Sequence, residues 1–481
     1  MKGSRVGENE IRGTRRTPKL SGLRVAHETL LHGLRTDGPL VRGVDGADIT
    51  KFTLSRRTAF ILKHPDYVDH VLHEAADKYH KTIEYELLAT VVGLSIFTDE
   101  DESWRRHRMM LNPVLSKRHL TGLFDLMVDP IETFMAGMDD GRDRIAVEMS
   151  EAMTALTLDV VGSALFGRGM ADLAQRIGPM VTDGLHAAEI AMRLVLLTNP
   201  PVWLARATAA AITHAPVLPP PLDRLHTIIR TIDRTVWDVI AERRANPTET
   251  EDLLGLLLSV SDENGEPLDL CRVRDEAATF MLAGHETTAN ALTWMWYLLA
   301  LNHEARERML AEVDEVLEGR RPTAEDLKRL PWTAACCMES MRMFSPLWML
   351  PRRCVREDEI DGHRIPKGST VLMPIDALHH DERFWPEPEV FDPTRFLREN
   401  ARGHHRSAYL PFGGGRRVCA GQSFALMEMT LVAAMLSRHF VYDLVPGHPV
   451  EREATFTLRP RHGMRMVARR RAGTVSLPVA A

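Results

Sequence analysis

The stretch YLPFGGGRRVCAGQSFALMEM, residues 409–429, decides how the rest of the chain is read. Gly413, Gly414 and Gly415 precede Cys419, and Gly421 follows it just before a run of strong helix formers. Glycines placed this way permit positive φ and let the backbone approach a flat ligand closely. A cysteine at the start of a helix has its thiolate stabilised by backbone N–H groups and by the positive end of the helix dipole. Two readings are open: a small buried cysteine in a glycine-rich turn, the ordinary fate of a free cysteine, or a thiolate held for a metal, able to donate electron density to iron.

Phe412, Gly415, Arg417, Cys419 and Gly421 favour the second reading, because together they resemble the haem-binding signature of the cytochrome P-450 family position for position. The resemblance implies haem b (protoporphyrin IX iron) as cofactor and Cys419 as the iron ligand. It has Phe412 shielding the sulfur, Gly415 permitting the turn of the loop, Arg417 pairing with a haem propionate, and Gly421 letting the next helix lie close to the porphyrin. Arg416 stands where many members carry a smaller or apolar residue. The fold implied is the cytochrome P-450 fold, mainly α with small peripheral β-sheets.

A second motif lies within a helical pattern running from about Arg272 to Asn302. FMLAGHETT, residues 280–288, places a glycine and two β-branched threonines where a helix tolerates them poorly. Such a motif is either a satisfied polar kink or a functional device, since a hydroxyl beside a carboxylate can relay protons into a dry site. Ala283, Gly284, Glu286 and Thr287 resemble the family's oxygen-binding motif. The resemblance makes Glu286 and Thr287 the catalytic pair: Thr287 hydrogen-bonds the dioxygen being activated and Glu286 belongs to the proton route. Ala283 and Gly284 shape the oxygen pocket, and His285 is expected to point elsewhere.

Three further groups complete the resemblance. Glu339 and Arg342 are three apart and share a helical face; alone they would make a surface ion pair worth under about 1 kcal/mol. By resemblance they form a buried network with Arg395 of FDPTRF (391–396) that supports the cysteine loop. Trp104 and Arg108, about one turn apart, resemble the family's W-x-x-x-R clamp. Arg353, in LPRRCVRED, takes the place of an arginine that follows the Glu339 helix, with Arg352 adjacent and able to substitute. With Arg417, these supply three guanidinium groups and an indole N–H, sufficient for two propionates. Ser345 replaces a frequent proline in MFSPLWMLPRR and leaves the path of that segment open. The haem-binding elements fall mainly in 100–115, 272–302, 333–355 and 409–440, and the resemblance spans roughly 50–470.

Composition sets the outer bounds. The chain has 481 residues, 44% hydrophobic and 26% charged, enough for a large core around a buried cofactor. A net charge of −6 argues against nucleic acid as a partner. Five cysteines, at 271, 336, 337, 354 and 419, form no disulfide framework and point to a reducing, cytoplasmic location. Adjacent pairs such as Cys336-Cys337 and His404-His405 lack the spacing that zinc ligands prefer. No signal peptide or membrane-spanning run of about 20 apolar residues is seen, so no integral anchor is expected. Residues 1–20 read as disordered and 21–481 as a single domain. FTLSRRTAFIL (52–62) reads as two short strands, 64–79 as a helix, 103–345 as mostly helical with proline breaks, and 454–468 as a hairpin. The proline-rich break at 215–223 is either a surface connection or an apolar lid, and peripheral membrane contact by 194–221 is an open alternative.

The function expected is a monooxygenase that activates O2 and hydroxylates a lipophilic small molecule such as a fatty acid, steroid or other lipid-like compound. No flavin or iron–sulfur fingerprint is found, so electrons are expected from a ferredoxin and its reductase, docking near Arg105, Arg106, Arg402, Arg406 and Arg416; a plain solvated surface is the alternative for those charges. A peroxide-driven haem-thiolate enzyme and a non-catalytic haem sensor or carrier are the competing functions, and the Glu286–Thr287 pair weighs against both. Leu94, Ile96, Phe97, Phe280, Leu347, Trp348, Met349 and Phe456 are candidate pocket residues, although apolar side chains at such positions are core by default.

Overall fold

The computed structural model describes residues 15–32, 35–54, 57–167, 207, 222–246, 252–262, 264–400 and 403–471. The helices that position the site are α1 (Ile83–Val92), α2 (Asp101–Leu111), α3 (Phe124–Met138), α4 (Met149–Phe166), α5 (Leu222–Ala245), α6 (Leu270–Leu301), α7 (His303–Leu317), α8 (Pro331–Met343) and α9 (Gln422–His439). Small sheets flank them, giving the mainly α architecture with peripheral β-structure that the resemblance implies.

Helix α6 is the axis of the molecule. Asp269 starts it, its carboxylate accepting from the Cys271 N–H at 3.0 Å. The helix then runs 32 residues with most of its faces covered, which is why its sequence shows no single apolar stripe. Thr287, Thr288 and Thr293 donate their hydroxyls to the carbonyls of Ala283, Gly284 and Ala289 at 2.8, 2.9 and 2.8 Å. Those bonds satisfy the hydroxyls inside the helix without exposing it to water. Gly284 meets α4: a Cβ there would stand 3.1 Å from Val161 Cγ2, so the missing side chain sets how closely the two helices cross. Thr157 on α4 donates to the His285 carbonyl at 3.0 Å across the same crossing. The main core forms around this pair, with α3, α8 and α9 contributing Met127, Cys337 and Leu431.

The principal sheet has the order β1-β2-β8-β5-β3, where β1 is Ile49–Leu54, β2 Arg57–Leu62, β3 Tyr79–His80, β5 Leu350–Cys354 and β8 Thr370–Met373. The two strands read from 52–62 are the β1–β2 hairpin, with Phe52 opposite Ala59. Other expectations need correction. Residues 64–79 are not one helix: an α-turn at Pro65–Asp69 passes into a π-turn at His70–Glu74 and a 3₁₀ turn at Ala76–Lys78. The helical stretch 103–345 is interrupted by β4 (Arg144–Glu148). The segment 454–468 is not one hairpin. Instead β10 (Arg452–Ala454) pairs with β11 (Leu458–Pro460), while β12 (Arg465–Arg470) lies between β4 and β9 (Phe440–Leu444). The turn falls at 455–457, where Thr455 N–H and Oγ1 both reach the Thr457 carbonyl at 2.9 Å. Nor does a free N-terminal segment extend to residue 20. Arg15 N–H bonds Gly362 O at 2.9 Å, and Pro18 and Leu20 pair with Lys51 at 2.8 Å, using the open edge of β1. The lid reading of 215–223 and the membrane contact of 194–221 fall, apart from residue 207 and the start of α5 at residue 222, outside the described residues.

Helix α8 carries the buried ion pair. Glu339 and Arg342 have no solvent exposure and join through two bonds of 2.8 Å. Arg342 also donates to the carbonyls of His379 and Pro388, each at 2.8 Å. Glu339 accepts from the Asp392 N–H at 3.0 Å and faces Arg395 at 3.5 Å. His379 carries the network onward, because its Nε2 accepts the Leu410 N–H at 2.8 Å, at the entrance to the cysteine loop. Glu339→Gln leaves two guanidinium groups without a counter-charge. The variant should lose about 3–5 kcal/mol of stability, measured as a fall in the guanidinium-chloride midpoint; a loss under about 1 kcal/mol would assign the pair only the weight of a surface bridge.

Candidate active site

A cavity of ≈ 500 Å³ lies between α6 and the cysteine loop, lined by Cys419, Phe412, Gly421, Ala283, Glu286 and Thr287 together with many apolar side chains. The loop reaches it by constraints legible at single atoms. The Cys419 N–H donates to Phe412 O at 3.0 Å, closing the turn. Gly415 has φ +67°, and a Cβ there would fall 2.0 Å from the Leu72 carbonyl oxygen, on the π-turn. No other residue fits that position. At Gly421 a Cβ would meet only Cys419 Sγ, at 3.9 Å. Protein atoms therefore do not demand glycine at 421, and the space it leaves belongs to the cavity.

Cys419 opens on to this cavity while protein surrounds it on its other sides. Burial pushes its thiol up from the ordinary value; the Gly421 N–H and the Arg108 charge pull it down. The helix-start stabilisation read from sequence is thus present but outweighed within the protein alone. A coordinated metal cation reverses that balance, since it deprotonates a thiol outright.

On the α6 side, Glu286 Oε1 accepts from the Thr457 hydroxyl at 2.9 Å, and Thr457 accepts from Asn290 Nδ2 at 3.0 Å. The turn between β10 and β11 thereby orients the acid. His285 is outside the lining; it is buried against the Met281 carbonyl at 3.2 Å, and burial pushes it down to about 4. Glu428 on α9 is also buried. Burial holds its carboxyl well above the usual range, with the Thr288 hydroxyl opposing.

Cations gather at one flank. The Arg417 guanidinium lies 3.7 Å over the Trp104 ring, donates to Asp99 O at 2.9 Å and pairs with Glu100. Arg108 lines the cavity. Lys81, which sequence reading missed, lines it too and donates to Asp99 O at 3.0 Å. Burial, then the Arg417 charge, pushes Lys81 down to about 7; burial pushes Arg417 down to about 10, with Arg352 and Arg416 adding to the effect. Crowded cations that depress one another are a site awaiting anions. Arg353 is not among the lining residues, whereas the adjacent Arg352 is. Successive side chains alternate across a strand, so on β5 Leu350 and Arg352 share the cavity side. This donor set fits the two carboxylates of a haem. Of the candidate pocket residues, all but Leu94 line the cavity. Leu94 is 50% exposed, because Asp275 and Arg272 hold its N–H and carbonyl in an outward turn after α1.

The docking arginines are mostly engaged. Arg105 pairs with Glu102 at 2.9 Å, Arg106 with Asp262 and Arg406 with Asp69, while Arg416 is exposed beside the cysteine loop. Arg402 falls outside the described residues.

The cytochrome P-450 family model matches residues 46–465. Cytochrome P-450 132 of Mycobacterium tuberculosis is 48% identical over 453 residues, covering 94% of this chain and 97% of that protein. Cyclooctat-9-en-7-ol 5-monooxygenase of Streptomyces melanosporofaciens is 31% identical over 409 residues, 83% of each. The crystal structure of the cytochrome P-450DA heme domain matches with a TM-score of 0.81 at 25% identity, covering 95% of this chain and 99% of that one. Fold and relatives define an oxidoreductase that incorporates molecular oxygen. The chain belongs to the cytochrome P-450 family, and its cofactor is protoporphyrin IX iron.

The exchange of Arg353 for Arg352 can be tested directly. Arg352→Gln should speed haem loss to an excess of a haem-scavenging globin by about tenfold, the scale of one charge-assisted hydrogen bond. Arg353→Gln should leave that rate within about twofold; the reverse order would restore the arginine expected from sequence.

Proposed function

We propose that Cys419 is the thiolate ligand of the haem iron and that Glu286 and Thr287 manage protons opposite it. The reaction is hydroxylation of a lipophilic small molecule, a fatty acid, steroid or other lipid-like compound. The observation that carries this reading is a single cavity lined by Cys419, Glu286 and Thr287 and otherwise walled mainly by apolar side chains. Haem with a thiolate ligand supplies the oxygen-activating chemistry.

The chain's own residues do the rest. Thr287 gives its only hydroxyl hydrogen to the Ala283 carbonyl, so its lone pairs are what it offers the cavity. It therefore accepts a hydrogen bond from a protonated oxygen standing before it. Glu286, held by Thr457, is the group that replaces the proton consumed. Trp104, Arg108, Arg352 and Arg417 hold the propionates, and Phe412 covers the sulfur. Ile96, Phe97, Phe280 and Trp348 keep water out and give the substrate an apolar bed. A relative named for oxidising cyclooctat-9-en-7-ol is compatible with that bed. The presence of both Glu286 and Thr287 favours dioxygen over peroxide as the oxidant.

Electrons come from a ferredoxin served by its reductase. Exposed Arg416 supports an acidic partner on the cysteine-loop face, and the engaged states of Arg105, Arg106 and Arg406 narrow the face to that loop. Five free cysteines suit a reducing, cytoplasmic setting. Among the described residues no helix is long and apolar enough to cross a membrane.

The reduced, carbon-monoxide-bound protein should show the strongly red-shifted Soret band of a thiolate complex, and Cys419→Ser should abolish it. Thr287→Ala should keep that band and continue to consume electrons, while product formed per electron falls by about tenfold or more. Unchanged coupling in this variant would remove Thr287 from the proton side.

A further inference from the structure

We infer that Thr279 recognises a neutral hydroxyl of the substrate, so that the molecule oxidised is a lipophilic alcohol oriented by one polar contact on α6. The inference rests on the lipophilic-substrate reading above and names the group that orients such a substrate.

Four threonines stand on α6: Thr279, Thr287, Thr288 and Thr293. The last three each give the hydroxyl hydrogen to the carbonyl four residues back, at 2.8, 2.9 and 2.8 Å. That is how a threonine inside a helix ordinarily satisfies itself. Thr279 does not do so. It is only 3% exposed, and its Oγ1 has no hydrogen-bond partner among the described residues. A buried hydroxyl left in that state is costly unless something answers it. Thr279 lines the cavity, as do Ala283 and Thr287 at successive intervals of four residues along the same helix. Eight residues at a rise of about 1.5 Å put it about 12 Å along the helix axis from Thr287. An oxygen held there leaves the far part of a molecule of that length before Thr287 and Cys419.

The surroundings of Thr279 select a neutral partner. Two other lining residues carry a buried oxygen without a hydrogen-bond partner, Thr82 and Glu84, and both follow Lys81 directly on the cationic side of the cavity. On α6, by contrast, no described lining residue is cationic, so an anion brought to Thr279 meets no counter-charge there. Glu276 stands one turn earlier on the same helix. One of its carboxyl oxygens accepts the Ile96 N–H at 2.7 Å, and the other is buried and unpaired. Burial pushes Glu276 up to about 8, which favours its uncharged form near neutral pH. Phe280 and Ile96, the neighbours of this pair, wall the cavity with apolar surface. A hydroxyl both gives and takes hydrogen bonds. Of the neutral oxygen functions, an alcohol therefore matches the unspent hydrogen and lone pairs of Thr279 most fully.

The test uses the haem-loaded protein and two probes of one shape. Decan-1-ol carries a hydroxyl where undecane carries a methyl group, and each is titrated by the Soret spin-state shift. Thr279→Val keeps the branched side chain and removes its hydroxyl. It should weaken decan-1-ol by about tenfold, the scale of one hydrogen bond to a buried group, and leave undecane within about twofold. Thr279→Ser keeps the hydroxyl and should hold the ratio of the two affinities within about twofold of the unaltered protein. Retention of the red-shifted carbon-monoxide band shows that each variant is folded. A ratio that Thr279→Val leaves unchanged, or one that Thr279→Ser lowers as far as Thr279→Val does, would overturn the hydroxyl contact alone. Binding of neither probe by the unaltered protein would overturn the lipophilic-substrate reading and the contact with it.

Discussion

Arg342 carries a full charge at zero exposure, and the fold around Cys419 is arranged to answer it. A buried charge is tolerated only when each donor meets a partner. Glu339 from the same helix and the His379 and Pro388 carbonyls meet those donors, and the two carbonyls come from segments that must converge on α8 to do so. His379 then fixes the backbone at Leu410, nine residues before the cysteine. The position of a reactive sulfur is thus set by a charge it does not touch. Hydrophobic packing around α6 supplies the bulk of the fold, but it does not discriminate one loop path from another; the buried pair does.

A second electrostatic arrangement runs the opposite way. Where Arg342 is fully answered, Lys81, Arg352 and Arg417 are only partly answered by Glu100 and backbone carbonyls. Burial first, and the neighbouring guanidinium charges after it, hold Lys81 and Arg417 below their ordinary values, and carboxylates at this flank would offset both. Glycine at 421 makes the complementary steric statement, since no protein atom stands near enough to require it.

The parts legible in sequence were those whose chemistry is written within one short segment. The loop at 409–421 and the motif at 283–287 state their roles through near neighbours, and the folded chain brings both to one cavity. What sequence missed depends on contacts between distant segments. Arg352 and Arg353 differ only in strand parity, which the pairing of β5 with β8 decides. Lys81 gains meaning only beside Arg417, and Glu428 only because α9 buries it against α6. Thr457 follows from a turn position that a continuous-hairpin reading of 454–468 hides. Gly284 was legible as part of the motif at 283–287, yet its close approach to Val161 adds a packing demand that no local pattern states.

The short turn at 455–457 places two duties on adjacent residues. Phe456 walls the cavity, while Thr457 orients Glu286. Selection for a new substrate can exchange residue 456 freely only so long as the turn keeps its shape, which Thr455 pins. On the roles proposed for Phe456 and Glu286, specificity is open to drift at the side chain and closed to it in the backbone: a point substitution at 456 reshapes the cavity wall, but an insertion here would release the carboxylate that Thr457 holds.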